Sequence, residues 1–354
     1  MADTPRTPDM PHSPMRVRKA GAAMVGGEVP AISVAMSAYN AGPYLGEAIR
    51  SILRQSVSDF EFLILDDGST DNTLSVAESY AAMDARIRVI SRENRGLVFS
   101  LNQLLDEARA PLIARMDADD TCHPERFSRQ MAFLASNPDH GLIGCDCTNI
   151  GPDGASLERP ELRRPEHFAD LQANFETGPL ILHNGVIYRR DLVRQVGGYR
   201  AAYAHAEDYD LWLRLSQVTK LANLPDNLVA YRIYPDQVSN RHLVEQARNA
   251  AIAWLAHKLR TRGQADPTDA ARKLPQDGEL DALFGAGSAA YVRRRVVERA
   301  LYAPVALFSD GWQMLLDHVH DQGANGELWR LAMRMLKSGM PLHAGRLGMA
   351  LMLA

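Results

Sequence analysis

Three short apolar runs, Ile32–Met36, Phe60–Leu65 and Leu112–Met116, each break off abruptly into polar groups. Ser37-Ala38-Tyr39-Asn40 follows the first, Asp66-Asp67-Gly68-Ser69 the second, and Asp117-Ala118-Asp119-Asp120 the third. Such runs, bounded by turn residues, read as buried strands. The stretch opened by Pro43 carries Leu45, Ala48, Ile49, Ile52 and Leu53 at the spacing of one helix face. Ser75 to Met83 reads as a second helix and Ile87–Ile90 as a further strand. Gly96 to Ala108 reads as a third helix, with Leu97, Leu101, Leu104 and Leu105 turned inward. Strand and helix alternating in this way predict an α/β fold: a mostly parallel sheet with helices on both faces. Ligands of such sheets bind beyond the carboxyl ends of the strands, so the three polar tips are expected along one cleft.

The third tip has the sharpest chemistry. Asp117, Asp119 and Asp120 crowd like charges at the end of a buried strand, which a fold tolerates best with a cation between them. Hard oxygen ligands suit Mg²⁺ or Mn²⁺, and such ions commonly also hold a substrate phosphate. The competing reading is a solvated acidic turn ahead of a helix near Pro124. At the other tips, Tyr39 is placed to stack on a base and Asp67 to accept a hydrogen bond from a base or ribose. Alternatively Tyr39 closes the core and Asp66 and Asp67 are turn residues. No Gly-x-Gly-x-x-Gly follows the first strand, and no phosphate-binding Gly-x-x-x-x-Gly-Lys-Ser/Thr occurs anywhere, which disfavours dinucleotide dehydrogenases and P-loop enzymes.

Composition narrows the field. The 354 residues carry a net charge of −4, against a nucleic-acid binder relying on a broad positive field. Cys122, Cys145 and Cys147 form neither a paired disulfide framework nor a four-ligand zinc set. Residues 1–30, rich in Pro and charged groups, read as a disordered lead without the pattern of a secretory signal. No run approaches the ~20 apolar residues of a membrane span, so a cytoplasmic protein is expected.

The segments Ser33 to Asn40, Leu65 to Thr73, Asn94-Arg95-Gly96 with Asn102, and Ala114 to Asp120 follow one another in an order that resembles the family 2 glycosyltransferases with the GT-A fold. The resemblance continues through His183-Asn184-Gly185, Val196-Gly197-Gly198-Tyr199-Arg200 and Ala206-Glu207-Asp208-Tyr209-Asp210-Leu211-Trp212. It implies a GT-A type, Rossmann-like catalytic domain over 31–240, with a nucleotide-binding half at 31–120 and an acceptor half at 121–240. It also implies a set of roles. Ser37, Tyr39, Asn40, Asp66, Asp67, Asn94, Arg115 and Asp117 would hold the donor nucleotide, and Asp119, with Asp117, the Mn²⁺ or Mg²⁺. Asp208, beside Glu207, would be the general base, with His183, Asn184 and Trp212 near the sugar or acceptor. An acceptor hydroxyl attacks well only as a placed carboxylate takes its proton, which is a physical reason for the Asp208 role independent of the family. Two acids opening a helix also simply cap it. Leu101 stands where many members carry Arg, and Tyr234 where relatives often have His.

From 241 to 354 a helical region is expected. Leu243, Ala247, Ala251, Trp254 and Leu255 form a helical stripe, Gly263 to Gly278 a polar linker, and Tyr291 to Ala306 and Leu328 to Met335 further helices. Arg293-Arg294-Arg295 and the apolar stretch from Gly339 suggest peripheral contact with an anionic membrane at the inner face of the plasma membrane. A helical cap on the catalytic domain or a dimer interface are the other readings. The expected activity is inverting transfer of a single sugar from a UDP-sugar to a saccharide or lipid-linked saccharide of a surface polysaccharide. A non-catalytic nucleotide-sugar or glycan-binding protein and a sugar nucleotidyltransferase are the alternatives.

Overall fold

A computed structural model describes residues 29–158, 163–234, 242–301 and 310–354. The first half is the predicted alternation: β1 (Ile32–Ala38), α1 (Gly42–Leu53), β2 (Phe60–Asp66), α2 (Thr73–Met83), β3 (Ile87–Ser91), α3 (Leu97–Glu107) and β4 (Leu112–Asp117). There follow β5 (Thr121–Cys122), α4 (Arg126–Ser136), β6 (His140–Ile150), α5 (Phe168–Asn174), β7 (Ile187–Arg189), α6 (Arg190–Gln195), α7 (Glu207–Leu215) and β8 (Lys220–Arg232). One eight-stranded sheet runs β3-β2-β1-β4-β7-β6-β8-β5. The first four strands are mutually parallel, while β7 runs antiparallel to both β4 and β6.

Why the strands do not alternate apolar with exposed polar residues follows from the layers; even Ser33 and Glu61 within them are buried. Val34, Met36, Phe62 and Ile64 pack on one face with Leu45, Ala48 and Ile49 of α1. Ala35, Leu63 and Leu65 pack on the other with Leu101, Leu104 and Leu105 of α3. Strands buried on both sides can expose no polar alternation. The helix phase of α3 differs from expectation at one position: Leu97 opens the helix and is exposed, and Val98 is buried in its place.

The helical region does not begin a new core at 240. Helix α8 (Leu243–Thr261) sends Ala251, Ile252, Ala253 and Leu255 into the same cluster as Leu211 and Trp212 of α7. The expected linker Gly263 to Gly278 is instead built into the molecule: Thr268 is fully buried and its hydroxyl lies 2.6 Å from the Tyr203 hydroxyl. Asp266 in the same stretch accepts from Arg200 at 3.1 Å, and Arg200 donates to the fully buried Asp210 of α7 at 2.6 Å. Arg214 closes the network on Asp210 at 2.8 Å. Removing the shared carboxylate would leave the buried Arg214 without its counter-charge and Arg200 with Asp266 in place of two strong partners. Asp210→Ala is therefore expected to lower the unfolding free energy by about 3–5 kcal/mol in denaturant titration. A second cluster, with Trp312, Leu315, Leu331, Met335 and Leu347, holds the last helices together. The helix expected over Tyr291 to Ala306 is Ser288–Ala300; 302–309, like 1–28 and 235–241, lie outside the described residues, as does most of the expected disordered lead.

Candidate active site

Strand register brings the three polar tips side by side. Ala38 stands opposite Asp66, and Ser37 opposite Asp117 on the other flank of β1. Two strand spacings thus separate the β2 and β4 tips, about 10 Å, a span suited to a nucleoside diphosphate. Tyr39 is half exposed and Asn40 adopts a left-handed backbone, with its Oδ1 accepting from the Thr70 amide at 2.8 Å. Asp66 is buried and tied to its turn, accepting from the Ser91 hydroxyl at 3.1 Å. Asp67 is buried too. Its carboxylate accepts from the Arg92 guanidinium and from the amides of Arg95 (2.9 Å) and Gly96 (2.8 Å). Gly68 is required at this crossing: its φ is +75°, and a Cβ there would stand 2.6 Å from the Asn94 amide nitrogen. Asn94 itself is exposed on that loop.

The acidic triad divides its labour. Asp120 is buried, and both oxygens are taken, one by the Asn184 side-chain amide and the other by the Arg232 amide at 2.7 Å. Asn184, expected near the sugar, thus holds Asp120. Asp119 accepts from the Tyr234 hydroxyl at 2.8 Å, and Asp117 pairs with Arg115 at 2.5 Å. Each of these two commits one oxygen to a side-chain partner and has a second for another ligand. One oxygen from each of the three acids lies within 4.8 Å of the others. Burial, and then the charge of Asp117, raises the Asp119 carboxyl above its usual range, and Asp120 is pushed well up in the same way. A set of hard oxygens whose ionisation is opposed by its own members fits a divalent cation.

Glu207 and Asp208 open α7. Burial pushes Asp208 up to about 6, against the pull of the Tyr209 amide and of Arg115. Burial and the neighbouring Asp208 charge push Glu207 up to about 7. Arg115, buried, is the common neighbour: its charge acts on Asp117, Glu207, Asp208 and His183. The acid pair and the triad therefore belong to one electrostatic site. His183 is half-buried, with its Nε2 3.1 Å from the Tyr199 hydroxyl, and desolvation and Arg115 hold it well below its usual range, hence neutral. Trp212, expected toward the acceptor, lies in the core, edge-on to His183 at 5.9 Å between centroids.

A cavity of about 110 Å³ opens on Asp208 and is walled by Pro179, His205, Trp254, Tyr291, Arg295 and Arg299. Four of those six residues come from the helical region. The indole Nε1 of Trp254 is buried without a hydrogen-bond partner, a donor awaiting an acceptor atom. Sequence reasoning placed Trp254 in a core stripe, because one helix face shows apolar spacing whether it meets core or cavity. A larger hollow of about 510 Å³ between Arg294, His318 and Glu327 contains none of Asp117, Asp119, Asp120, Glu207 and Asp208. A second trio with ligand atoms close together, His205, His242 and Glu245, stands at the rim of the Asp208 cavity.

Residues 33–197 match the family model described as glycosyl transferase family 2. The chain is 33% identical to the putative glycosyltransferase EpsE of Bacillus subtilis, over 64% of this chain and 82% of that one. It is 32% identical to the amylovoran biosynthesis glycosyltransferase AmsE of Erwinia amylovora, over 59% of this chain and 79% of that one. Among solved structures, residues 1–349 of TarS from S. aureus in complex with UDP-GlcNAc share the fold, with a TM-score of 0.55 and 17% identity over 90% of this chain and 88% of that one.

Proposed function

The chain belongs to glycosyltransferase family 2, and on that premise we propose that it moves one sugar from a UDP-sugar, with inversion, onto a hydroxyl of a saccharide or lipid-linked saccharide acceptor in surface polysaccharide assembly. The cytoplasmic side of the plasma membrane is the proposed place of work. The single observation that carries the mechanism is the buried Arg115, whose guanidinium pairs with Asp117 at 2.5 Å and whose charge also lowers the Asp208 pKa.

In this reading the nucleoside lies along the β1 and β2 tips, with its base against Tyr39. Asp67 acts by holding the Arg92 to Gly96 loop beside it. Asp117 and Asp119 would hold Mn²⁺ or Mg²⁺, which would supply positive charge for the diphosphate. Asp120 fixes the turn. The acceptor enters the cavity walled by Trp254 and Tyr291 and presents its hydroxyl to Asp208. As the hydroxyl oxygen bonds to the anomeric carbon, the carbon–oxygen bond to the diphosphate breaks on the opposite face, and the hydroxyl proton passes to Asp208. One in-line displacement inverts the anomeric centre. A non-catalytic binding protein would have no need of an acid pair with raised pKa values at the mouth of that cavity.

A panel of nucleotide sugars with Mn²⁺, read by release of nucleoside diphosphate and by thermal shift, tests the donor assignment; UDP-sugars are expected to give both signals. The pH profile tests the base. Asp208 works only when ionised, and it and Glu207 titrate as a pair between about 6 and 7. kcat/KM is therefore expected to rise with pH across that interval and level off above it. A rate already flat from pH 5 upward would remove the pair from the chemistry.

A further inference from the structure

Among the described residues, fourteen large apolar side chains are exposed, and seven of them fall between Trp329 and Leu353. These lie on two helices, Gly326–Lys337 and Pro341–Leu353. On the first, Leu328, Leu331, Ala332 and Met335 face the small C-terminal core, while Trp329, Met333 and Leu336 recur at i, i+4 and i+7 on the outside. On the second, Leu347 and Leu351 are buried, while Met349, Met352 (74% exposed) and Leu353 (84% exposed) are outside. The two outer faces adjoin: a Cβ on Gly348 would stand 3.8 Å from the Trp329 ring. Between Leu328 and Ala354 there are four cations, Arg330, Arg334, Lys337 and Arg346, and not one acid, in a chain whose net charge is −4.

The arginine run that first suggested a membrane is tied up within the protein. Arg293 pairs with Asp321, and Arg295 donates to Glu298 at 3.0 Å and to the Glu176 carbonyl at 2.9 Å. A basic apolar face lies elsewhere, on Gly326–Lys337 and Pro341–Leu353, where Glu327 is the one acid and pairs with Arg330.

We propose that the outer face shared by Gly326–Lys337 and Pro341–Leu353 lies in the headgroup layer of an anionic lipid bilayer, with its methionines, leucines and Trp329 inserted and Lys337 and Arg346 against lipid phosphates. No described helix is long and apolar enough to cross a membrane, so this contact is in-plane. Interfacial tryptophan, exposed aliphatic side chains and flanking cations are the chemistry of that layer. This inference goes beyond the reading of Asp208 and does not depend on it.

The test is sedimentation of the full chain with vesicles of phosphatidylglycerol and phosphatidylethanolamine, beside pure phosphatidylcholine. The native chain is expected to bind the anionic vesicles and to come off with salt. Met349→Asp/Met352→Asp is expected to bind about 100-fold more weakly, and Lys337→Gln/Arg346→Gln about tenfold more weakly. Circular dichroism and donor hydrolysis, both expected unchanged, show that the variants are folded. Absence of native binding, or binding that neither variant weakens, overturns the proposal. So does a native dimer in sedimentation equilibrium that Met349→Asp/Met352→Asp dissociates while vesicles bind neither form, since the face then belongs to a second copy. Loss of sugar transfer in Asp208 variants with vesicle binding intact keeps the two readings apart.

Discussion

The Asp208→Asn protein is expected to bind its nucleotide sugar as tightly as the native chain and to transfer the sugar about 10² to 10⁴ times more slowly. The amide keeps the shape and the contact with the Tyr209 amide at 2.7 Å, but it cannot take a proton from an acceptor hydroxyl. Donor affinity is expected to survive because the β1, β2 and β4 tips, not α7, line the proposed nucleotide groove. Glu207→Gln gives the complementary result. Glu207 titrates above Asp208 and carries little charge where Asp208 ionises, so the rise of kcat/KM should stay near pH 6 with the plateau rate largely kept. If Asp208→Asn leaves turnover untouched, or if Glu207→Gln is the variant that abolishes it, the base has been misassigned within the pair.

The sheet was legible because its strands are buried on both faces. Phe62, Leu63, Ile64 and Leu65 alternate between two cores, so the run has no polar member to confuse its reading. The tips were legible because acids such as Asp119 have little reason to sit on a buried edge. Tertiary partners were not. Asn184 looks like a loop amide until it meets Asp120, sixty-four positions away in the chain. Trp212 and Trp254 both occur at helical spacing among apolar residues, yet one is core and the other a cavity wall, and only the packing of α8 against α7 separates them. The stretch from Gly263 is polar in composition and still ordered, because Asp266 meets Arg200 and Arg260. Composition reports solubility; it does not report counter-charges supplied from distant helices.

Asp119→Asn is expected to cost transfer about 10² to 10³-fold, the several kcal/mol that positive charge at a departing diphosphate supplies. Its second readout needs no substrate. In the native chain the carboxyls of Asp119 and Asp120 are held up by burial and by the charge of Asp117, so a bound Mn²⁺ relieves a repulsion that the fold otherwise carries. Ligand binding to the folded state alone stabilises it, by about 2.7 kcal/mol at a hundredfold excess over Kd. Native protein should therefore gain stability as Mn²⁺ is added. Asp119→Asn should gain little, while its metal-free form is at least as stable as the native one, since Asn keeps an acceptor for the Tyr234 hydroxyl and drops a like charge. His242→Ala provides the control, because His205, His242 and Glu245 are the other described trio with converging ligand atoms. A Mn²⁺ response that survives Asp119→Asn and vanishes in His242→Ala would move the cation from the strand tips to the cavity rim and take the proposed diphosphate site with it.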